Sequence, residues 1–253
     1  MKELMHLLPG ESIVYFGDTG RIPYGSKSVE TVIKYTKSDI KFLSSFDLKL
    51  VVAACGTASS TALPHLVGDY DVPLLGVIEP AARAAVRATK NGKIGVIGTT
   101  GTIRSGAYRH HIATLDEGIQ TVAKSCPLFV HLVESGFAET EVAYLTAKEY
   151  LAPILDAGVD TLILGCTHYP LLKNVITKVM GEDVTLIDPG VCAAEEIKAY
   201  LEKNDALAGE VKEQQYKFFV SDDPANFIKS GSAFLERPIE GLVQRIDIEP
   251  YTV

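Results

Sequence analysis

Two cysteines stand where chemistry is easiest to place. Cys55 follows the apolar run Leu48-Lys49-Leu50-Val51-Val52-Ala53-Ala54 and leads into Gly56-Thr57-Ala58. Cys166 follows Thr161-Leu162-Ile163-Leu164-Gly165 and leads into Thr167-His168-Tyr169-Pro170. Such runs read as buried strands, and a helix is predicted to begin at each cysteine. In an open α/β sheet, ligands gather at the carboxyl ends of strands, where helix N-termini favour negative charge. A thiol in that position is predicted to have its ionised form stabilised. Two matched thiols, one from each half of the chain, would present an acid and a base to opposite sides of one substrate. Free cysteine is also among the most buried residue types, so either one alone reads equally well as inert core. Cys126 and Cys192 lack the strand-end setting and read as core or surface residues.

Three further groups carry weaker signals. His168 lies two residues beyond Cys166, an offset at which an imidazole can pass protons or stabilise a thiolate; a turn histidine capping the backbone is the alternative. Gly98-Thr99-Thr100-Gly101-Thr102 after the run Lys93–Ile97 offers amides and hydroxyls to a carboxylate or phosphate, or simply caps a helix. It matches neither G-x-G-x-x-G nor a P-loop, so nucleotide binding is unsupported. Gly17–Ser26 reads only as a loop, and Glu79 and Glu134 read as solvated charges. The remaining histidines show no metal-ligand spacing, and adjacent His110 and His111 point about 100° apart on a helix.

The elements that must position these residues alternate along the chain. Strands are predicted at Ser12–Phe16, Leu48–Ala54, Leu74–Ile78, Lys93–Ile97, Thr161–Leu164, Val184–Ile187 and Tyr216–Val220. Helices are predicted at Lys2–Leu8, Val29–Ser45, Pro80–Thr89, Gly101–Leu115, Glu139–Ala157, Leu171–Met180, Cys192–Glu202 and Pro224–Phe234. Continuous Val/Ile/Leu strands separated by helices specify parallel, doubly wound sheets. The repeat of strand, cysteine and threonine around Cys55 and Cys166 points to two α/β lobes related by pseudo-twofold symmetry, with a site in the cleft between them. Breaks near Val77–Pro80 and at Asp188-Pro189-Gly190 divide the chain into 1–79 plus 188–253 and 80–187. The polar stretch 204–215 reads as a surface connection.

The chain has 253 residues and a net charge of -8, which argues against nucleic-acid and anionic-membrane partners. No apolar run approaches the roughly 20 residues that span a bilayer, and Lys2, Glu3 and His6 interrupt any secretory core. Four scattered cysteines with no C-x-x-C pair suit a reducing cytoplasm.

Gly165-Cys166-Thr167-His168-Tyr169-Pro170-Leu171-Leu172 resembles the signature of glutamate racemases. So do Gly17-Asp18-Thr19 with Pro23-Tyr24-Gly25, the block Ala54-Cys55 to Ala58-Ser59, and Cys126-Pro127-Leu128-Phe129-Val130. The resemblance covers nearly the whole chain. It implies a cofactor-independent, metal-free enzyme that interconverts L- and D-glutamate for peptidoglycan synthesis, with small-molecule substrate as partner and a homodimer as an open option. It implies Cys55 and Cys166 as the two bases, with His168 assisting Cys166. Tyr24, Gly25, Gly56, Thr57, Thr99, Thr102 and Thr167 would hold the substrate, and Glu134 would lie on the Cys166 side. Two departures go with it. Family members begin with a further strand ending in Asp-Ser-Gly before the helix matched by Lys2–Leu8, which would leave strand edges of the first lobe unpaired here. Gly56 also stands where an asparagine is usual, removing a hydrogen bond to the ligand. An aspartate or hydantoin racemase, a related decarboxylase, and a binding protein that has lost turnover are the competing readings.

Overall fold

Lys93–Gly98 and Thr161–Gly165 are apolar almost throughout because both of their faces are covered. In the computed structural model, which describes residues 1–209 and 215–252, they are the two central strands of a four-stranded parallel sheet. The elements in order are α1 (Lys2–Leu7), β1 (Ile13–Gly17), α2 (Val29–Leu43), β2 (Val51–Ala53), α3 (Gly56–Thr61), β3 (Leu74–Gly76) and α4 (Ile78–Ala88). There follow β4 (Lys93–Gly98), α5 (Thr100–Ser105), α6 (Ala107–Leu115), β5 (Gln120–Ser125), α7 (Leu128–Glu134), α8 (Glu141–Asp156) and β6 (Thr161–Gly165). The chain closes with α9 (Lys173–Met180), β7 (Thr185–Ile187), α10 (Pro189–Lys203), β8 (Tyr216–Val220), α11 (Pro224–Leu235) and β9 (Val243–Arg245).

The larger sheet runs β5-β4-β6-β7, every pair parallel. Successive side chains of a strand point to opposite faces, and β6 shows the consequence. Leu162 and Leu164 enter the core made with α7, α8 and α9, around Phe129, Leu151, Ile154 and Ile176. Ile163 enters the opposite core with Ala81, Ala82 and Ala85 of α4 and Ile112 of α6. Each fully buried Leu or Ile contributes about 1.5–3 kcal/mol, so this doubly wound half is a rigid platform for the turns at its strand ends.

The other half is built differently. β1, β8 and β9 form one parallel sheet, and β2 and β3 form a second. α2 covers both: Phe42 packs on Phe16 and Phe219, while Ile40 joins Val51 in a neighbouring cluster. α1 and α10 close the opposite side through Leu8, Ile197 and Leu201.

The α/β class and parallel sheets follow the sequence, with local corrections. The helix predicted over Gly101–Leu115 is two, because Gly106 takes the left-handed conformation (φ 68°) between α5 and α6. Ile78, predicted as strand, begins α4. The helix expected to begin at Cys55 is the short α3, whereas β5, β9 and the short helix α7 were not anticipated. Part of the connection predicted over 204–215 lies outside the described residues. Among the described residues no helix is long and apolar enough to cross a membrane.

Candidate active site

Cys55 is the N-cap of α3, with extended backbone (φ -81°, ψ 125°). That helix reads Gly-Thr-Ala-Ser-Ser-Thr, all small residues, and its first five are buried. Small side chains let the helix lie close beneath the cleft between the two halves. Cys166 directly follows β6, but no α-helix starts there. A 3-10 turn over Tyr169–Leu172 intervenes before α9, anchored by the buried Tyr169, which donates to the Cys126 carbonyl at 2.8 Å. Cys126 itself is buried in the core.

The two cysteine turns meet backbone to backbone. A Cβ on Gly56 would stand 2.6 Å from the carbonyl oxygen of Gly165, so a side chain at 56 has no room. This gives Gly56 a steric role in place of the hydrogen-bonding one that an asparagine would have. The Tyr24–Gly25 turn makes a second such contact, since a Cβ on Gly25 would lie 2.6 Å from Cβ of Thr99.

Three hydroxyls converge between these contacts. Thr57 Oγ1 lies 2.8 Å from Thr99 Oγ1 and 3.3 Å from Thr102 Oγ1, and the last two are 3.1 Å apart. Thr57 comes from α3, whereas Thr99 is the N-cap of α5 and Thr102 lies within it. Three hydroxyls that bond one another are donors in reserve for an arriving anion.

On the Cys166 side, His168 Nδ1 lies 3.9 Å from Cys166 Sγ and 3.3 Å from Thr167 Oγ1. Its Nε2 lies 3.2 Å from Oε1 of Glu134, at the end of α7. Glu134 is therefore not merely solvated. Burial lowers the His168 pKa, against the opposing pull of the Glu134 charge, so the neutral imidazole dominates near pH 7. With Nε2–H donated to the carboxylate, Nδ1 faces the sulfur as an acceptor. The edge of the imidazole also meets the Phe234 ring of α11, centroids 5.9 Å apart.

Both thiols are pushed upward, which corrects the prediction of stabilised thiolates. Cys55 is exposed at the surface of the cleft, so the upward push on it from the surrounding protein and the Asp39 charge is only partial, and the amides of Thr57 and Ala58 and the Thr57 hydroxyl oppose it. Desolvation raises Cys166 to about 12; the His168 amide and Thr167 hydroxyl oppose it, and the charges of Cys55 and Glu134 add to it. At the buried Cys166 no α-helix offsets the loss of water.

Tyr24 departs from the sequence reading in another way. Its hydroxyl donates to Asp18 Oδ2 and lies 2.9 Å from Asp39 Oδ2. Only the backbone of its turn, at Gly25, faces the threonines. Thr167 is exposed at the rim. Sequence reasoning missed Asp18, Arg21 and Asp39 altogether. The first two stood in a segment that reads as loop, and the third is one acid among many on a helix.

Comparison with known proteins identifies the family to which this two-sheet fold belongs. The model of the Asp/Glu/Hydantoin racemase family matches residues 6–197, and the chain belongs to that family. It is thus an isomerase of the amino-acid racemase type. The glutamate racemase of Geobacter metallireducens is 46% identical over 249 residues, covering 98% of this chain and 92% of that protein. Among solved structures, a glutamate racemase isoform of Bacillus anthracis superposes with a TM-score of 0.93 at 39% identity, covering 97% of this chain and 91% of the other. That of Francisella tularensis, in complex with D-glutamate, gives 0.92 at 35% identity, covering 99% and 93%.

Proposed function

We propose that the chain interconverts L- and D-glutamate without a cofactor, by a two-base mechanism in which Cys55 and Cys166 act on opposite faces of the α-carbon. One thiolate takes the α-proton; the electron pair left on carbon is delocalised into the carboxylate; the facing thiol then gives its proton to the other side. The observation that supports this reading is the close approach of the two cysteine turns at Gly56 and Gly165. The likeness to glutamate racemases over nearly the full chain supports the substrate.

The α-proton of an amino acid is very weakly acidic, so the carbanion needs fixed donors. Thr57, Thr99 and Thr102, with the backbone at Gly25 and the exposed hydroxyl of Thr167, are the groups in place to hold carboxylate and ammonium. Single donors of this kind are worth about 10²–10³ in rate. A raised thiol pKa makes a scarce but strong base, which suits so weak an acid. The imidazole of His168 accepts the Cys166 proton through Nδ1 while Glu134 holds its other nitrogen. The two lobes, 1–79 plus 188–253 and 80–187, each contribute one base. The product would serve peptidoglycan precursor synthesis in the cytoplasm.

The test is incubation of each glutamate enantiomer in D2O with proton NMR of the α-position. Both enantiomers should incorporate deuterium during turnover. Absence of α-exchange from either one would overturn the assignment and leave a binding protein.

A further inference from the structure

Behind the Tyr24–Gly25 turn lies a cluster that the two-thiol mechanism does not use. Asp18, on the loop after β1, accepts from Arg21 Nε at 2.7 Å, from Ser221 Oγ at 2.8 Å and from Tyr24. Asp39 of α2 accepts from the other arm of Arg21 at 2.6 Å and faces Tyr24 at 2.9 Å. Arg21 also stacks over the Tyr35 ring, 4.4 Å to its centroid. The side chains of Asp18, Arg21 and Asp39 are only 6%, 13% and 19% exposed. The network joins two loops and a helix, and it reaches the cleft through the Tyr24–Gly25 turn.

Proton bookkeeping makes the arrangement informative. The Tyr24 hydroxyl has one proton and faces two carboxylates, so only one contact is a full hydrogen bond if both acids are ionised. If Asp39 carries a proton, it donates to the Tyr24 oxygen while Tyr24 donates to Asp18, and every contact is satisfied. The charge count favours that state, since one guanidinium cannot neutralise two buried carboxylates.

We propose that Asp39 is a positioning residue that holds the Tyr24–Gly25 turn against Thr99 by donating a proton to the Tyr24 hydroxyl, and so governs substrate affinity. The inference rests on the racemase reading given above. Burial and the neighbouring Asp18 charge raise Asp39 to about 7, against the opposing pull of Tyr24 and Arg21. Around Asp39 the charged and titratable neighbours are Asp18, Arg21 and Tyr24, with Cys55 on the cleft side. Loss of the proton above neutrality removes one hydrogen bond and sets two like charges around the hydroxyl, so the turn loosens as pH rises.

The experiment is steady-state racemisation with the full chain between pH 6 and 8.5, beside calorimetric binding of D-glutamate, for wild type, D39N, D39A and Y24F. The amide introduced by D39N reproduces the protonated acid, with its N–H toward Tyr24 and its oxygen toward Arg21. In wild type, KM should rise with pH through about 7. D39N should keep a low KM and flatten that rise. D39A and Y24F should raise KM about tenfold with kcat within about threefold, the pattern of lost uniform binding. The inference is overturned if D39N keeps the wild-type pH dependence of KM, or if Y24F leaves KM within twofold. Should D39A fail to fold, D39N and Y24F still decide it. Failure of the racemase reading would show separately, as wild type without turnover, and the binding titrations would then test the positioning of the turn alone.

Discussion

The two cysteine turns are alike in sequence and unlike in support. Cys55 caps a true helix, is steadied by the amides of Thr57 and Ala58, and among the described residues bonds to no imidazole. Cys166 has no α-helix beneath it and instead faces His168, which is held by Glu134. In the proposed mechanism one base would be served by backbone dipoles and the other by a proton carrier. The difference teaches that opposed roles on one substrate do not require matched surroundings. On that reading each thiol needs only some way to exchange a proton.

The largest expected effect breaks both turns. Cys55→Ala and Cys166→Ala should each lower racemisation by at least about 10³-fold, measured by circular dichroism of glutamate. Each variant should retain slow α-exchange in D2O from one enantiomer only, and from opposite enantiomers. If both exchange the same enantiomer, the two-face assignment is wrong.

His168→Asn sharpens the comparison, because it touches one turn alone. It should lower kcat by about 10²-fold. The enantiomers have equal free energy, so kcat/KM must fall equally in the two directions. The asymmetry should appear instead in the primary isotope effect with α-deuterated glutamate, enlarged for the one whose hydrogen passes to Cys166. Equal isotope effects from both enantiomers would assign His168 to neither turn in particular. Glu134→Gln, one step further out, should cost about tenfold in the same assay.

Acidity offers a smaller effect. Both thiols lie above their usual range, so kcat/KM should climb with pH from 7 to 9 as the thiolate fraction grows. A plateau beginning below pH 7 would contradict the desolvation argument.

The smallest effect is on stability. The pKa of Asp39 is raised on folding, so the native state holds the proton that the unfolded chain gives up above about pH 4. Its contribution is full below that pH and is lost as pH rises through about 7. D39N should therefore gain Tm relative to wild type between pH 5 and 8. A constant difference in Tm across that range would refute the shift.

Much of this was legible because burial writes itself into composition. β4 and β6 are covered on both faces and read as unbroken apolar runs. β5, Gln120-Thr-Val-Ala-Lys-Ser125, is an edge strand with exposed Gln120 and so lacked that mark. The start of α3 was legible at Cys55 but its extent was not: six small residues carry no amphipathic period, although they suit a helix pressed against a cleft. Cys55 and Cys166 stood out as candidates because strand ends are predictable places for ligands, and His168 because it lies two residues beyond Cys166. The thiols' acidity was misjudged because desolvation depends on what packs around a sulfur, which spacing does not disclose. Asp39 was invisible because its partners Asp18, Arg21 and Tyr24 are at least 15 residues away in the chain.

The upward shift of both sulfurs reaches beyond turnover. Peroxide and alkylating agents attack the deprotonated form of cysteine, and here that form is suppressed in the unliganded protein. The buried Cys166 in particular should therefore be modified more slowly than a free cysteine near neutral pH, which rates of alkylation would show.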